Sequence, residues 1–442
     1  MQKKIGIVFP CFLSLLVFFA GCNRSASSGT SSGGEGETVD SAKYAVTEPV
    51  RIEWWHALEN QYAGTIEKVV NGFNSSQNLV TVEARYIGSY GVLNETLVAA
   101  HAAGTGLPAI SAANTPYVAE YGSGGLTEDL NPYIKATNFD IGDFGVGLVS
   151  ATAYEGKQVA LPFLISTQVI YYNADMAKEL GRELPLKWSD MDSFLESTMR
   201  LKKGGGDFWG LAIPGWDQWY FETFYRNQGI NIINPDGVST DLDSPKAIEV
   251  AQKIIDWCNA GYAYWASGTN ASNIMRQNFW DQKLFAISHT SSLYNTYVDN
   301  CDFEVGMAWL PGQDTKISEI GGSMILIPAK ADQKSKNAGW QFMQYMISKD
   351  VNMLWAKETG YMPTRKSVLD TGEGQQFVAE KPAFKVIFDN LDQINPRIQH
   401  KGWSQLATIW MTYMAETVNE HKNVPEQMKK MAAEINEVLA DL

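Results

Sequence analysis

From Val50 onward, short apolar runs rich in β-branched and aromatic residues alternate with longer stretches whose apolar positions recur at helical spacing. Val50-Arg51-Ile52-Glu53-Trp54 alternates apolar and polar residues and reads as a strand, whereas residues 62–74 carry the three-to-four spacing of a helix. Val80-Thr81-Val82-Glu83-Ala84 repeats the strand pattern, residues 92–103 repeat the helical one, and Leu107-Pro108-Ala109-Ile110 opens a third strand. This succession predicts two βαβ units of a doubly wound sheet with right-handed crossovers.

Further along, residues 189–203 read as a helix capped by Ser189 and stopped by Gly204-Gly205-Gly206. Ser244-Pro245 opens another helix that runs to residue 260, ahead of Gly261. Residues 338–346, 350–358, 404–420 and 425–442 complete the helical set. No repeat of 20–50 residues marks a solenoid or propeller. A chain of 442 residues is long for a single core, so two α/β lobes are expected.

The first residues follow a different pattern. Lys3 and Lys4 precede an apolar run from Ile5 to Ala20, then Gly21-Cys22, an arrangement that predicts an export signal over residues 1–21. Ala20-Gly21-Cys22 resembles the bacterial lipobox, in which the cysteine is lipidated after cleavage, although Phe19 stands where that motif usually has Leu. The stretch that follows, Asn23 to Glu37, is Ser/Gly-rich and without large apolar residues, as suits a solvated tether over residues 22–40. A lipid anchor on Cys22 and a flexible leader to a globular body are the expectation, at the periplasmic or envelope face of a bacterial membrane.

Composition narrows the function. With 35 Lys and Arg against 49 Asp and Glu, the net charge is -14, which supplies no basic footprint for nucleic acid. Four cysteines cannot staple a chain of this size. Fourteen Trp, 19 Tyr and 19 Phe are ample for cores and also for platforms that pack on the apolar faces of sugars. Catalytic signatures are missing: there is no GxxxxGK[ST] loop, GxSxG elbow, HExxH or CxxC, and the five histidines lie far apart. No cofactor and no metal ion is expected.

Several segments together resemble the solute-binding proteins of ABC importers, in the large family that binds sugars and glycerol phosphates. They are Trp54-Trp55-His56, the Tyr86–Tyr90 stretch YIGSY, Gly104-Thr-Gly-Leu-Pro-Ala109, and the run from Leu161 to Asn173. Gly215-Trp-Asp-Gln-Trp219, Gly321-Gly-Ser323 and Thr359-Gly-Tyr-Met-Pro363 follow in the family's order. The resemblance implies two α/β lobes of the periplasmic-binding-protein fold, with a ligand cleft between them and closure on the ligand. It places one lobe in 41–163 and 320–366 and the other in 164–319 and 367–442. It further implies ABC permease subunits as partners and a small sugar or glycerol-phosphate-type ligand, with no chemistry performed on it.

The same resemblance nominates the ligand contacts. Trp216, Trp219 and Trp403 would stack on ligand C–H faces, and Tyr90 and Tyr361 would offer hydroxyls. Ser166 at the crossing, Ser291 or its neighbour Ser292, and Asn114 would hydrogen-bond ligand oxygens, and Gly322 would let a backbone amide approach. Two departures bear on the ligand. Glycerol-phosphate binders carry a Glu where this chain has Ser111-Ala-Ala-Asn-Thr115, and their phosphate-meeting Arg aligns near Ala407, with Arg397 ten residues away in a different setting. A phosphomonoester is thereby disfavoured relative to a phosphodiester or neutral sugar. A cell-surface carbohydrate-active enzyme, which needs two converging acids, and a sensory lipoprotein are the competing classes.

Overall fold

A computed structural model describes residues 40–390 and 393–442, which form one compact unit. The export signal, Cys22 and the tether up to residue 39 lie outside the described residues. Twelve strands follow in chain order. β1 (Val50–His56), β2 (Val80–Tyr86) and β3 (Ile110–Ala113) come first, then a small hairpin, β4 (Ala153–Tyr154) and β5 (Lys157–Gln158), and the long β6 (Leu161–Asn173). β7 (Trp209–Pro214), β8 (Ala263–Ala266), β9 (Leu284–Thr290), β10 (Val305–Ala308), β11 (Ser318–Leu326) and β12 (Ile394–Asn395) follow.

Their order is β2-β1-β3-β11-β6-β9-β7-β8, with β10 on β6 and β12 on β11. β1 runs parallel to β2 and β3, and β7 runs parallel to β8 and β9, so each half carries the parallel arrangement that βαβ crossovers generate. β6 joins the halves. Its first part pairs antiparallel with β11, from Ile325↔Leu161 to Ile320↔Thr167, and its second part pairs with β9, from Gln168↔Thr290 to Tyr172↔Ala286. Twelve of its thirteen residues are buried, which explains a near-continuous apolar run in place of alternation.

Four apolar clusters cover the sheet faces. In β1, Ile52 and Trp54 point into one cluster with Phe73, Trp340 and Trp355, while Trp55 faces Leu93, Leu97 and Tyr121 on the other side. In β7, Leu211 and Ile213 pack with Phe221, Trp257 and Trp410, while Ala212 faces Met275, Phe279 and Tyr297.

The helices form with modest shifts from expectation. The first spans Ala63–Ser76, and Tyr90–Ala103 begins two residues early because Ser89 caps it, its Oγ accepting from Val92 N at 3.4 Å. Ser244 caps Pro245–Asn259 as expected. Ser189 does not cap the next predicted helix. Its hydroxyl turns to Asp190 Oδ1 at 3.0 Å, and the segment splits into Met191–Thr198 flanked by 3-10 turns at Trp188–Asp190 and Met199–Leu201. Asp332 extends another helix to Gln333–Met346 by accepting from Ser335 N at 2.9 Å. Cys258 and Cys301 are free thiols. Among the described residues, no helix is long and apolar enough to cross a membrane.

Candidate functional site

A cavity of about 750 Å³ opens where the parallel strands of both halves end. From the first half it is lined by the loop after β1 (Glu59, Gln61, Tyr62), the start of helix Tyr90–Ala103, and the loop after β3 (Asn114, Pro116, Tyr117). From the second half come the loop after β7 (Trp216, Asp217, Gln218), the end of β9 (His289, Thr290), Ser292 in the turn after it, and Arg276. Tyr361, Arg397, Trp403 and Ala407 close the remaining side. Such walls arise because βα loops gather at one end of each sheet, whatever their distance along the chain.

Aromatic rings dominate the walls. Trp216 meets Tyr220 edge-on at 5.7 Å and His289 at 6.0 Å, and Tyr220 stacks on His289 at 5.3 Å. Tyr62 and Tyr361 lie 5.7 Å apart. Burial pushes the phenols of Tyr62, Tyr220 and Tyr361 upward and that of Tyr90 up to about 12, so all four remain hydroxyl donors at neutral pH. The Tyr90 hydroxyl is buried beside Ser323. Burial also pushes His289 down to about 3, leaving a neutral imidazole whose Nδ1 lies 2.9 Å from the Tyr297 hydroxyl. Aromatic faces set beside polar side chains suit a hydroxyl-rich solute, which offers both C–H faces and hydrogen-bonding edges.

Charge enters through Arg397, whose side chain is only 6% exposed. Its Nη2 lies 3.7 Å from Asp217 Oδ1 and its Nε 3.8 Å from Glu222 Oε1, with the guanidinium 5.7 Å from the centre of the Trp219 ring. Beneath it, Glu222 and Glu319 are both fully buried, and Arg226 pairs with Glu319. Burial and then the neighbouring Glu319 carboxylate drive Glu222 well above the usual carboxylate range. Among the described residues, no group of three or more His, Cys, Asp or Glu side chains could hold a metal ion.

Residues 68–386 match the family described as bacterial extracellular solute-binding protein. The chain belongs to that family. Among curated relatives, a putative binding protein of Brucella abortus (strain 2308) is 23% identical over 375 residues, covering 83% of this chain and 87% of that protein. The sn-glycerol-3-phosphate-binding periplasmic protein UgpB of Pectobacterium atrosepticum is 24% identical over 417 residues, covering 87% and 89%. Two solved structures share the two-lobed α/β fold. UgpB from Mycobacterium tuberculosis, crystallised with glycerophosphocholine, has a TM-score of 0.80 at 19% identity, covering 89% of this chain and 99% of that one. The GacH receptor of Streptomyces glaucescens, studied unliganded and with acarbose, has a TM-score of 0.78 at 20% identity, covering 89% and 100%.

In this solute-binding protein, six of the residues nominated from sequence line the cavity: Tyr90, Asn114, Trp216, Ser292, Tyr361 and Trp403. Tyr90 and Trp403 occupy the first positions of helices Tyr90–Ala103 and Trp403–Asn419, not the loops before them.

Four nominated residues do not line it. Trp219 begins helix Trp219–Arg226 and turns inward, 4% exposed, under the Arg397 guanidinium and against Tyr220 at 4.9 Å. Ser166 is sealed between the crossing strands, its partner in β11 being Gly321. Ser291 is fully buried and accepts from Thr167 N at 3.1 Å, leaving Ser292 as the serine that faces the cavity. Gly322 does give a close backbone approach, but to β6: at φ +95, a Cβ there would overlap the Leu164 carbonyl oxygen.

The cavity also holds side chains the sequence reading passed over. Tyr62, Tyr117, Tyr220, Arg276 and His289 line it, as do the carboxylates Glu59, Glu95 and Asp217. Arg397 reaches it through β12, whose pairing with β11 carries the chain back beneath the site, so a guanidinium is present although the aligned position near Ala407 lacks one. One signal could have found Tyr62 and Tyr117: both stand just beyond strands β1 and β3, where ligand-binding loops gather.

Proposed function

We propose that this protein is the solute-capturing component of an ABC importer. In this reading it is anchored by lipid on Cys22 at the envelope face of a bacterial membrane and takes a sugar or a glycerol-phosphate-type ligand. Residues 41–163 with 320–366 form one lobe and 164–319 with 367–442 the other, and the ligand favours the closed arrangement that permease subunits receive. The observation that carries the reading is the cavity lined by aromatic and polar side chains drawn from loops of both sheet halves. A solute touching Tyr62, Tyr90 and Tyr117 on one side and Trp216, Tyr220 and His289 on the other bridges the two halves. Family membership, and the glycerol-phosphate-type and sugar-like ligands of the relatives, support the same class.

The test is a thermal-shift screen of the purified protein against maltose and other neutral sugars, sn-glycerol-3-phosphate and glycerophosphocholine. A ligand at about 100 times its Kd adds about 2.7 kcal/mol of stability, a readable rise in Tm. A rise with at least one of these solutes, recovered unchanged from the protein, is the expected outcome. Cleavage of a glycan, or silence across the whole panel, would overturn it.

A further inference from the structure

Arg397 is answered from several elements, and only one answers it with an accessible negative charge. From the loop after β7, Asp217 Oδ1 stands 3.7 Å from Arg397 Nη2 and is 36% exposed toward the cavity. Gln218 bridges them. With its amide oriented to satisfy both ends, its nitrogen donates to Asp217 Oδ1 at 3.1 Å and its oxygen accepts from Arg397 Nη2 at 2.9 Å. From helix Trp219–Arg226, Glu222 lies 3.8 Å from Arg397 Nε, and the Trp219 ring lies against the guanidinium. From β11, Glu319 stands behind Glu222 and is engaged by Arg226, which also donates to the Pro396 carbonyl at 3.2 Å. From the loop after β3, the Tyr117 phenol sits in the field of both Asp217 and Arg397.

The two carboxyls buried under Arg397 face each other as well as two arginines, and two like charges at such close quarters do not both ionise. Arg226 engages Glu319, and neither buried glutamate lines the cavity. The cavity-facing counter-ion of Arg397 is therefore Asp217.

We propose that Asp217 sets the charge of the solute that this cavity accepts. By occupying the cavity-facing side of Arg397 it turns away anionic groups and favours neutral polar solutes, and removing its charge opens an anion subsite on Arg397. The inference rests on the reading of the cavity as a solute site, and it deepens that reading by naming the residue that selects solute charge. Asp217 Oδ1 also accepts from Trp219 N at 2.9 Å. Asp217→Asn keeps an oxygen for that bond while discarding the charge, and Asp217→Ser is a smaller substitute that also keeps one.

The experiment measures inorganic phosphate binding to the wild-type, Asp217→Asn, Asp217→Ser and Asp217→Asn/Arg397→Gln proteins by calorimetry at pH 7, at low and high salt, after thermal unfolding has verified the fold of each. Removing a carboxylate about 4 Å from a guanidinium in a partly buried site is expected to tighten phosphate binding at least about tenfold. That gain should weaken with salt and vanish in the double variant. Equal phosphate binding by wild type and both single variants, or a gain that survives loss of Arg397, would overturn the inference. The organic-solute screen fails or succeeds separately. A phosphate gain with no organic ligand found leaves the role of Asp217 standing and the solute reading fallen, and an organic ligand with no phosphate gain does the reverse.

Discussion

The cavity wall and the floor just beneath it are built from the same kinds of residue and behave oppositely. The wall presents Trp216, Tyr361, Ser292 and Arg397 along the cavity. The floor presents Trp219, Ser291, Ser166 and Glu222, all buried, the first two standing three residues and one residue from Trp216 and Ser292 in sequence. Trp216 precedes helix Trp219–Arg226 and Trp219 begins it, so a short turn carries one indole outward and the other into the core. Ser291 hydrogen-bonds the crossing strand while Ser292 faces the cavity. The difference teaches that residue type marks the neighbourhood of the site, and that a backbone turn decides which neighbour touches the ligand and which holds the wall up.

The sharpest way to break this comparison is to delete the two indoles separately. Trp219→Ala should cost about 3–5 kcal/mol of stability by opening a cavity in a packed floor. Urea unfolding reads it as a lower midpoint at unchanged slope. Trp216→Ala should leave stability within about 1 kcal/mol and weaken the solute found in the screen by about 1–3 kcal/mol, as for a contact residue in a binding pocket. Equal stability losses for both would erase the distinction between wall and floor.

Next in size comes Gly322. Its φ of +95 and its approach to Leu164 leave no room for a side chain where β11 crosses β6. Gly322→Ala should cost about 2–4 kcal/mol, combining backbone strain with the steric clash. A stable Gly322→Ala protein with reduced solute affinity would return this glycine to the wall.

Much of the fold is legible in the sequence because period-two and period-3.6 patterns act locally. β1, β2, the helix Pro245–Asn259 and the apolar run of β6 all follow from neighbours a few residues apart. The site is legible only to the precision of a loop. Trp216 and Trp219 carry the same composition signal, and only the start of the helix separates them. Arg397 was out of reach for another reason: its place depends on the pairing of Ser318 with Ile394, a contact far apart in the chain. The departure noted near Ala407 thus identified a missing residue correctly and a missing charge incorrectly.

The buried acids sharpen the comparison through pH. The usual pKa of a glutamate is about 4.3 when unfolded, and burial with a carboxylate neighbour raises Glu222 in the folded state. The folded protein therefore binds more protons than the unfolded chain above that value. The contribution to stability is fully present below the unfolded pKa and is lost as pH rises through the raised, folded one. Glu222→Gln mimics the protonated form, so its thermal unfolding should show a shallower loss of Tm on the alkaline side than wild type. His289 acts in the opposite direction on the wall. With a folded pKa near 3, its contribution is present above about 6.5 and lost as pH falls. An alkaline slope unchanged by Glu222→Gln would mean that the floor carries no shared proton.

The smallest effects expected belong to the adjacent serines, and they test the comparison at its finest. Ser291→Ala leaves the Thr167 amide buried without its acceptor, 3.1 Å away in the native protein, and should cost about 1–2 kcal/mol of stability. Ser292→Ala removes a hydroxyl that lies 3.0 Å from Thr290 Oγ1 at the cavity edge, where Thr290 can turn to solvent or solute instead. Its stability should fall by less than about 0.5 kcal/mol, and the affinity for a hydroxylated solute by about 1 kcal/mol. Calorimetric titration and urea unfolding on the same two preparations give both numbers. If the residues exchanged these effects, the turn after β9 would have to be rotated by one residue, and with it the assignment of Thr290 and His289 to the wall.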